Sequence, residues 1–286
     1  MFSVFRGELF KVWRRPGIWV LISVLLVLAV LIGYAITWLI YTFPPPGSSQ
    51  GLPPGTTLAD FKVALYPQNF VRQTLSQWGV LGGVFALIVG VLMQGSEYGW
   101  GTIKTLYTQR SGRLTMLFGK IAALAVVVAV MVVALFAVDA ASSSVVAAVD
   151  GKTITFPSAD VIVKALVAAF LIFGFWAIFG LALSTLFKQS AMAIGLGLAY
   201  ALVVEVLIFG LLGGLGGDIV KKIQQWFPIA NTNYLAQSFG QIRVRGLQGQ
   251  TTPYADASHA VVMLFLYVVA FTAITAYLTR TRDITA

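Results

Sequence analysis

Hydrophobic residues occupy six long runs along the chain, at about 17–41, 75–94, 118–138, 162–187, 191–214 and 260–279. Each run is close to or above the length of about 20 residues that an α-helix needs to cross ~30 Å of hydrocarbon at 1.5 Å per residue. A membrane β-barrel would instead show alternating segments of about 10 residues. The pattern therefore predicts an all-α polytopic membrane protein with six spans, built as one domain over residues 1–286.

Composition supports this class. Apolar residues make up 58% of the chain and charged residues only 10%, whereas a soluble domain carries about 25% charged residues. The formal charge is +9, but the basic residues cluster at the ends of the apolar runs, where orientation and anionic lipid headgroups account for them. A lipid bilayer is therefore the expected partner, and nucleic acid is not. The chain has no cysteine, which excludes disulfides and thiolate-bound metals.

The first 15 residues carry apolar side chains at helical spacing and a set of basic residues. The apolar positions are Phe2, Phe5, Leu9, Val12 and Trp13, and the basic ones are Arg6, Lys11, Arg14 and Arg15. This pattern is typical of a helix that lies in the membrane interface, with Pro16 marking its break from the first span. A plain charged flank is the alternative. The following apolar run is too long for a cleavable signal peptide.

Basic residues are densest at the termini and between the second and third spans, which places those segments on the cytoplasmic side. On the opposite side, residues 57–73 are predicted to form a surface helix interrupted near Pro67. Residues 142–160 are predicted to form a short turn excursion. A glycine-rich break at 213–217 opens the longest connection, where the amphipathic piece Ile219–Phe227 ends at Pro228. Half-helices and a plain loop both fit this region of about 215–240.

The segment 94–120 interrupts two apolar runs with a dense set of polar residues. It contains Glu97, several glycines and the basic residues Lys104, Arg110, Arg113 and Lys120. An ordinary positive loop would explain the basic residues, but it would not explain Glu97 beside glycines or the N-cap-like Thr102 within Gly101–Leu106. We therefore predict a short helix here that contacts a soluble cytoplasmic partner.

No sequence pattern for chemistry within this chain is found. The G-x-x-x-x-G-K-[ST] pattern that cradles phosphates does not occur, nor does H-E-x-x-H. The single histidine, His259, lies at the edge of the last run, and no base accompanies the serines. We expect no catalytic residue, no metal site and no cofactor bound by this chain.

Glu205 is the ionisable residue predicted to lie deep in a span, about 21 Å from the start of the fifth run. A carboxylate at such depth is costly and faces protein or water. Lys164, at a comparable depth in the fourth run, is its expected partner. A helix-packing role, a role in the translocation path or outer gate, and proton coupling all remain open.

The polar segment resembles the E-x(3)-G-T-x(3)-L…R-x(6)-K signature of ABC-2 type transporter permeases, the membrane subunits of type V ABC exporters. The matching residues are Glu97, Gly101, Thr102, Leu106, Arg113 and Lys120. The N-terminal residues 2–15 resemble the elbow helix of that family, and the region after Gly213 resembles its re-entrant hairpin. The turn before Arg113 departs from the pattern, because Ser111-Gly112 stands where relatives often have a proline.

This resemblance implies a six-span permease that does no chemistry itself. Two copies, or one copy with a close relative, would pair with two cytoplasmic P-loop ABC ATPases, which bind the ATP and Mg²⁺. A coupling helix between spans 2 and 3 would contact the ATPase through Glu97, Gly101, Thr102, Lys104, Leu106, Arg110 and Arg113. The resemblance also implies export of an amphipathic drug, peptide or lipid-like molecule across a bacterial cytoplasmic membrane. A proton-coupled secondary transporter using Glu205 is the competing hypothesis.

Overall fold

The computed structural model describes residues 2–45, 58–99, 112–213, 217–240 and 256–281. Within these ranges the protein is entirely helical and contains no strand. Six helical stretches are long and apolar enough to cross a membrane. The predicted all-α, six-span architecture of a multi-pass membrane protein is therefore confirmed.

The helices follow the predicted order. They are α1 (Phe2–Trp13), α2 (Pro16–Leu28), α3 (Thr37–Thr42), α4 (Leu58–Lys62), α5 (Phe70–Gly99), α6 (Arg113–Val149), α7 (Ala159–Phe187), α8 (Ser190–Ala199), α9 (Glu205–Gly213), α10 (Gly217–Gln224), α11 (Pro228–Gln237) and α12 (Ala257–Thr281). The first span consists of α2, a π-helical segment at Ala29–Ile36 and α3. The fifth consists of α8, a π-helical segment at Tyr200–Val204 and α9. Helices α5, α6, α7 and α12 are the second, third, fourth and sixth spans.

The third span is longer than predicted. The apolar run ends near residue 138, and residues 142–160 were expected to form a turn excursion, but α6 continues to Val149. This part of the helix is rich in alanine and serine. The serine hydroxyls bond to the backbone of the same helix: Ser143 and Ser144 both donate to the carbonyl of Ala140, each at 2.8 Å. Small residues thus extend the helix although they weaken its hydrophobic signal. The prediction for 142–160 is therefore wrong for residues 142–149, whereas a turn does follow at Asp150 and Gly151.

The second and fourth spans form the centre of the protein, and their backbones touch. A Cβ atom built on Gly90 would lie 1.9 Å from the carbonyl oxygen of Ala177, and one built on Gly180 would lie 2.1 Å from that of Leu87. Small residues of this kind let membrane helices approach closely. Gly195, by contrast, faces open space.

The connection after the fifth span forms two short helices. Helix α10 ends at Gln224 and α11 begins at Pro228. Proline suits a first helical position because its missing N–H would have no partner there. Helix α11 packs against α5, α7 and α12, so half-helices, rather than a plain loop, form this region. The part at 241–255 lies outside the described residues.

The surface helix predicted at 57–73 is confirmed as an interrupted one. Helix α4 is followed by two single 3₁₀ turns, Val63–Leu65 and Pro67–Asn69, before α5 begins. The break falls at Pro67, as expected from a residue that cannot donate a backbone hydrogen bond.

Candidate functional site

A buried cluster of charged side chains joins three helices at one end of the bundle. Its centre is Glu97, in the last turn of α5. Lys11 of α1 donates to Glu97 Oε1 at 3.1 Å, and Lys120 of α6 donates to Glu97 Oε2. Lys11 also donates to Glu8 at 2.6 Å, and Lys120 to Gln94 at 2.7 Å. We call Glu8, Lys11, Gln94, Glu97 and Lys120 the Glu97 cluster.

The Glu97 cluster is shielded from water and balanced in charge. Glu97 is 3% exposed and Lys120 is 5% exposed, and the two acids are matched by two lysines. Buried ions are tolerated when they are paired and hydrogen-bonded, and removing one partner leaves an uncompensated charge. Burial lowers the pKa of Lys11, but contacts with Glu8 and Glu97 outweigh that effect and raise it above its usual value. The cluster therefore holds its ions as charged pairs.

Local packing brings these elements together. Gly119 lies directly before Lys120, and a Cβ atom there would lie 2.7 Å from a methyl carbon of Val4, so the glycine lets α1 lie against α6. Arg15, just after α1, donates to the carbonyl of Leu92 at 3.1 Å and to the hydroxyl of Ser96 at 2.8 Å. Hydrogen bonds thus connect both α1 and Arg15 to the end of the second span.

The structure divides the four basic residues predicted for the N-terminal helix into two pairs. Lys11 and Arg15 make the contacts just described, whereas Arg6 and Arg14 are exposed. Large apolar side chains are exposed on the same helix: Phe2, Phe10 and Trp13. One face of α1 packs on the bundle, and the other offers aromatic and cationic side chains, as an interfacial helix does.

Members of the Glu97 cluster lie on both sides of the polar segment between spans 2 and 3: Gln94 and Glu97 come before it, and Lys120 comes after it. Five residues predicted to contact a partner lie outside the described residues: Gly101, Thr102, Lys104, Leu106 and Arg110. The other two flank that segment. Glu97 precedes it, and Arg113 begins α6, where its guanidinium donates to the carbonyl of Arg280 at 3.4 Å.

Glu205 does not pair with Lys164, so the predicted contact is wrong. The Glu205 carboxylate accepts hydrogen bonds from the backbone N–H groups of Ile229, at 3.1 Å, and Ala230, at 2.8 Å, and from the hydroxyl of Tyr200 at 3.1 Å. It thereby caps the N-terminus of α11, where free N–H groups and the helix dipole favour an anion. Lys164 is exposed and lies 3.5 Å from Asp160 on its own helix.

Two acidic residues, one in the C-terminal half of α6 and one directly after it, were not identified as site residues from the sequence. Asp139 is fully buried, and its Oδ2 lies 2.6 Å from the hydroxyl oxygen of Thr74. Asp150, at the end of α6, accepts from Lys62 at 2.7 Å, from Trp38 at 3.1 Å and from Tyr66 at 3.1 Å. Both were assigned to a loop because the hydropathy of α6 falls after Val138. The unexpected helix places Asp139 inside the bundle.

A cavity of about 230 Å³ lies between the third, fourth and sixth spans. Its lining is apolar except for Thr272, and it includes Ile121, Phe170 and Phe265. Gly174 contributes to its size because a Cβ atom there would meet nothing within 4 Å. Such a lining can hold hydrocarbon but offers almost no polar recognition.

Among the residues that the structure describes, no three His, Asp or Glu side chains are grouped so that they could hold a metal ion. The arrangements found are ion pairs and helix caps, which position helices.

Comparison with known proteins gives a family but no curated relative. The family model described as "Protein of unknown function (DUF2705)" matches residues 67–285. No curated protein matches the chain. The matched region runs from the start of the second span to beyond the last, and it includes Glu97, Lys120, Asp139 and Glu205. The protein therefore belongs to the DUF2705 family.

Proposed function

We propose that this protein is the permease subunit of an ATP-driven exporter of the ABC-2 type. The observation that carries the proposal is the Glu97 cluster. It joins the N-terminal helix to the two spans that flank the polar segment, and three of its charged residues are Lys11, Glu97 and Lys120. Glu97 and Lys120 also belong to the signature that resembles ABC-2 permeases. Their ion pair therefore gives a structural reason for two residues of that signature.

The cluster gives a physical route for coupling. A partner that moves the segment 100–111 pulls on the end of α5 and the start of α6. Because Glu97 contacts both Lys11 and Lys120, the two spans and α1 respond together. In this function the partners are two cytoplasmic ABC ATPases, which bind ATP and Mg²⁺, and a second permease copy or close relative completes the path. Both termini are then cytoplasmic, in a bacterial cytoplasmic membrane.

The surfaces of the protein favour an amphipathic cargo. Large apolar side chains are exposed along the spans, and the cavity between the third, fourth and sixth spans is almost wholly apolar. A drug, peptide or lipid-like molecule with a hydrocarbon portion fits such surfaces. The chain itself then performs no chemical step on its cargo.

The experiment first asks whether a neighbouring reading frame encodes a P-loop ATPase, and then combines co-purification with that ATPase and a measurement of ATP hydrolysis in lipid nanodiscs. Replacing Thr102, Lys104 and Leu106 together by alanine should abolish both binding and stimulated hydrolysis. A matched control replaces Thr153, Lys152 and Ile154, which have similar chemistry and lie exposed between the third and fourth spans. The control should behave as the wild type. Full binding and coupled hydrolysis in the first variant would contradict the proposed coupling segment.

Within this function, Glu205 acts at a gate beside α11. Its carboxylate connects α11 to the fifth span immediately after the π-helical segment Tyr200–Val204. Glu205→Gln keeps the size of the side chain but removes its charge, so it should weaken the cap and slow transport. Tyr200→Phe removes one of the three donors and should have a smaller effect. Unchanged transport and stability in Glu205→Gln would exclude this role.

A further inference from the structure

Asp139 is a buried acid at the junction of the first three spans. It has no exposed surface and lies on α6. Thr74 of α5 contacts its Oδ2, and the π-helical segment of the first span, which carries Tyr34, packs on α6 and α5. Tyr34 and Thr74 are also buried. The site therefore lies where three spans meet.

The hydrogen bonds of Thr74 show which protonation state fits. The Thr74 hydroxyl lies 2.9 Å from the carbonyl oxygen of Phe70 and 2.6 Å from Asp139 Oδ2. A hydroxyl has one hydrogen to donate, so it cannot serve both oxygens. If Asp139 is protonated, its own hydrogen fills the second contact, while Thr74 donates to Phe70. If Asp139 were ionised, the single Thr74 hydrogen could bridge to Phe70 or to Asp139, and the other close pair of oxygens would have no hydrogen between them.

The remaining surroundings agree with a neutral acid. Asp139 Oδ1 has no hydrogen-bond partner, and neither has the Tyr34 hydroxyl. A buried carboxylate is very costly without a cation or several donors, and no lysine or arginine is paired with Asp139 among the described residues.

The charged groups of the neighbouring elements that the structure describes form no ion pair with Asp139. Arg72 of α5 packs its side chain against Gly240, and its buried Nε has no hydrogen-bond partner. On α6, Lys120 belongs to the Glu97 cluster and Asp150 binds Lys62. Tyr66, in the turns that pack on α6, donates to Asp150. Tyr34 is the buried titratable side chain that the first span brings to this junction.

We propose that Asp139 is a proton-binding site whose occupancy depends on how the first span packs against the second and third. In the packed state the proton is on Asp139 Oδ2 and is shared with Thr74 Oγ1. On release the proton passes to water and the carboxylate keeps the electron pair. The Thr74 hydroxyl then turns from Phe70 to Asp139, and the unpartnered Tyr34 hydroxyl is available as a second donor.

A proton suits the site better than a metal ion does. Ca²⁺ takes six to eight oxygen ligands, and Mg²⁺ requires octahedral geometry. The side-chain oxygen that contacts Asp139 is that of Thr74, and among the described residues no three His, Asp or Glu side chains are grouped to hold a metal ion. The segment that carries Tyr34 is π-helical over Ala29–Ile36, a distortion that is frequent at functional sites. It offers a place where the first span can change its packing.

Infrared titration in lipid nanodiscs tests this proposal. The difference spectrum between wild type and Asp139→Asn should contain the C=O band of a protonated carboxylic acid at neutral pH. That band should be replaced by carboxylate bands at alkaline pH. Asparagine can donate to Thr74 as the protonated acid does, so this variant should fold. Carboxylate bands at neutral pH would overturn the proposal, and so would an acid band that persists at every pH at which the protein stays folded.

A second pair of variants tests the site without altering Asp139. Thr74→Val removes the oxygen that accepts the proton and should shift the acid band to higher frequency. Thr74→Ser keeps the hydroxyl and should leave the band in place. Equal spectra for both variants would contradict the assigned hydrogen bond. Neither readout involves the ATPase, so the result is independent of the proposed transport function.

Discussion

Glu97 shows how one carboxylate organises a junction of helices. Its two oxygens are divided between cations from different elements, Lys11 on one side and Lys120 on the other. A carboxylate is an acceptor with two oxygens and about four lone-pair sites, so both contacts can be satisfied together. Because each cation comes from a separate helix, the acid determines where those helices meet.

Replacing Glu97 by glutamine should destabilise the protein strongly. The change leaves Lys120 buried without its counter-ion, and breaking a buried pair in this way costs about 3–5 kcal/mol. The measurement is the unfolding midpoint in lipid nanodiscs. Asp160→Asn is the control, because its partner Lys164 is exposed on the same helix. That variant should show no measurable change, since exposed pairs contribute little. Equal midpoints for the two variants would contradict the structural role of the Glu97 cluster.

Asp150 should make the free energy of unfolding depend on pH. Partial burial raises its pKa, but hydrogen bonds from Lys62, Trp38 and Tyr66 outweigh that effect and hold the pKa below its usual value. This stabilisation is complete above the unfolded value of about 3.9 and is lost as the pH falls through the folded value. The unfolding midpoint of the wild type should therefore fall in acid more steeply than that of Asp150→Asn. Parallel curves would show that the contacts of Asp150 contribute nothing.

The residues of the site differ in how far sequence could predict them. Glu97 and Lys120 stand out because they are charges beside apolar runs, but they are 23 residues apart in the sequence, which does not reveal that they touch. Glu205 stood out for the same reason, but its partners are backbone N–H groups of Ile229 and Ala230, which every sequence contains. Asp139 was missed because its helix was expected to end before it.

At the scale of elements, the spans were predictable because each must be apolar over about 20 residues. The residues at which the spans end were harder to predict. Helix α6 runs eleven residues beyond its predicted end at 138, through alanines and serines that hydropathy treats as neutral. The π-helical segments at Ala29–Ile36 and Tyr200–Val204 have no sequence signal that we recognise, because both consist of ordinary span residues.

The contact between the second and fourth spans should be intolerant of a single methyl group. Gly90→Ala and Gly180→Ala each place a carbon against a carbonyl of the other helix, and overpacking of this kind costs about 1–3 kcal/mol. Gly195→Ala is the matched control in a span, because nothing lies within 4 Å of its added carbon. Alanine favours helices by up to about 1 kcal/mol over glycine, so the control should not lose stability. Unfolding midpoints in nanodiscs decide the comparison.

At the scale of the whole molecule, topology can be tested with single cysteines, because the chain has none of its own. Gln189 lies exposed between the fourth and fifth spans, and Ser158 lies exposed before the fourth. We expect Gln189→Cys to react with a membrane-impermeant thiol reagent only from the cytoplasmic side. Ser158→Cys should react only from the opposite side. The reverse pattern would invert the proposed orientation, and labelling of both from one side would contradict the six-span topology.

The assembly of the whole fold depended on contacts that no local pattern reveals. Helix α11 is polar enough to be mistaken for a loop, yet Asn231 and Thr232 are fully buried against the spans. Their burial follows from the position of α11 among α5, α7 and α12. Sequence could indicate a break at Gly213–Gly217, but it could not indicate that the chain returns into the bundle.

The backbone contact between the second and fourth spans limits how this protein can move. Two helices joined through Gly90 and Gly180 cannot slide or rotate past each other without first separating. They therefore act as a fixed frame. In the most apolar stretch of the first and fifth spans only 28% and 29% of the residues are buried, against 61% for the frame, and each of these two spans contains a π-helical segment. The sixth span is 17% buried by the same measure but is a continuous α-helix. If the protein alternates between conformations, the first and fifth spans are the ones that bend, and the frame keeps its shape throughout the cycle.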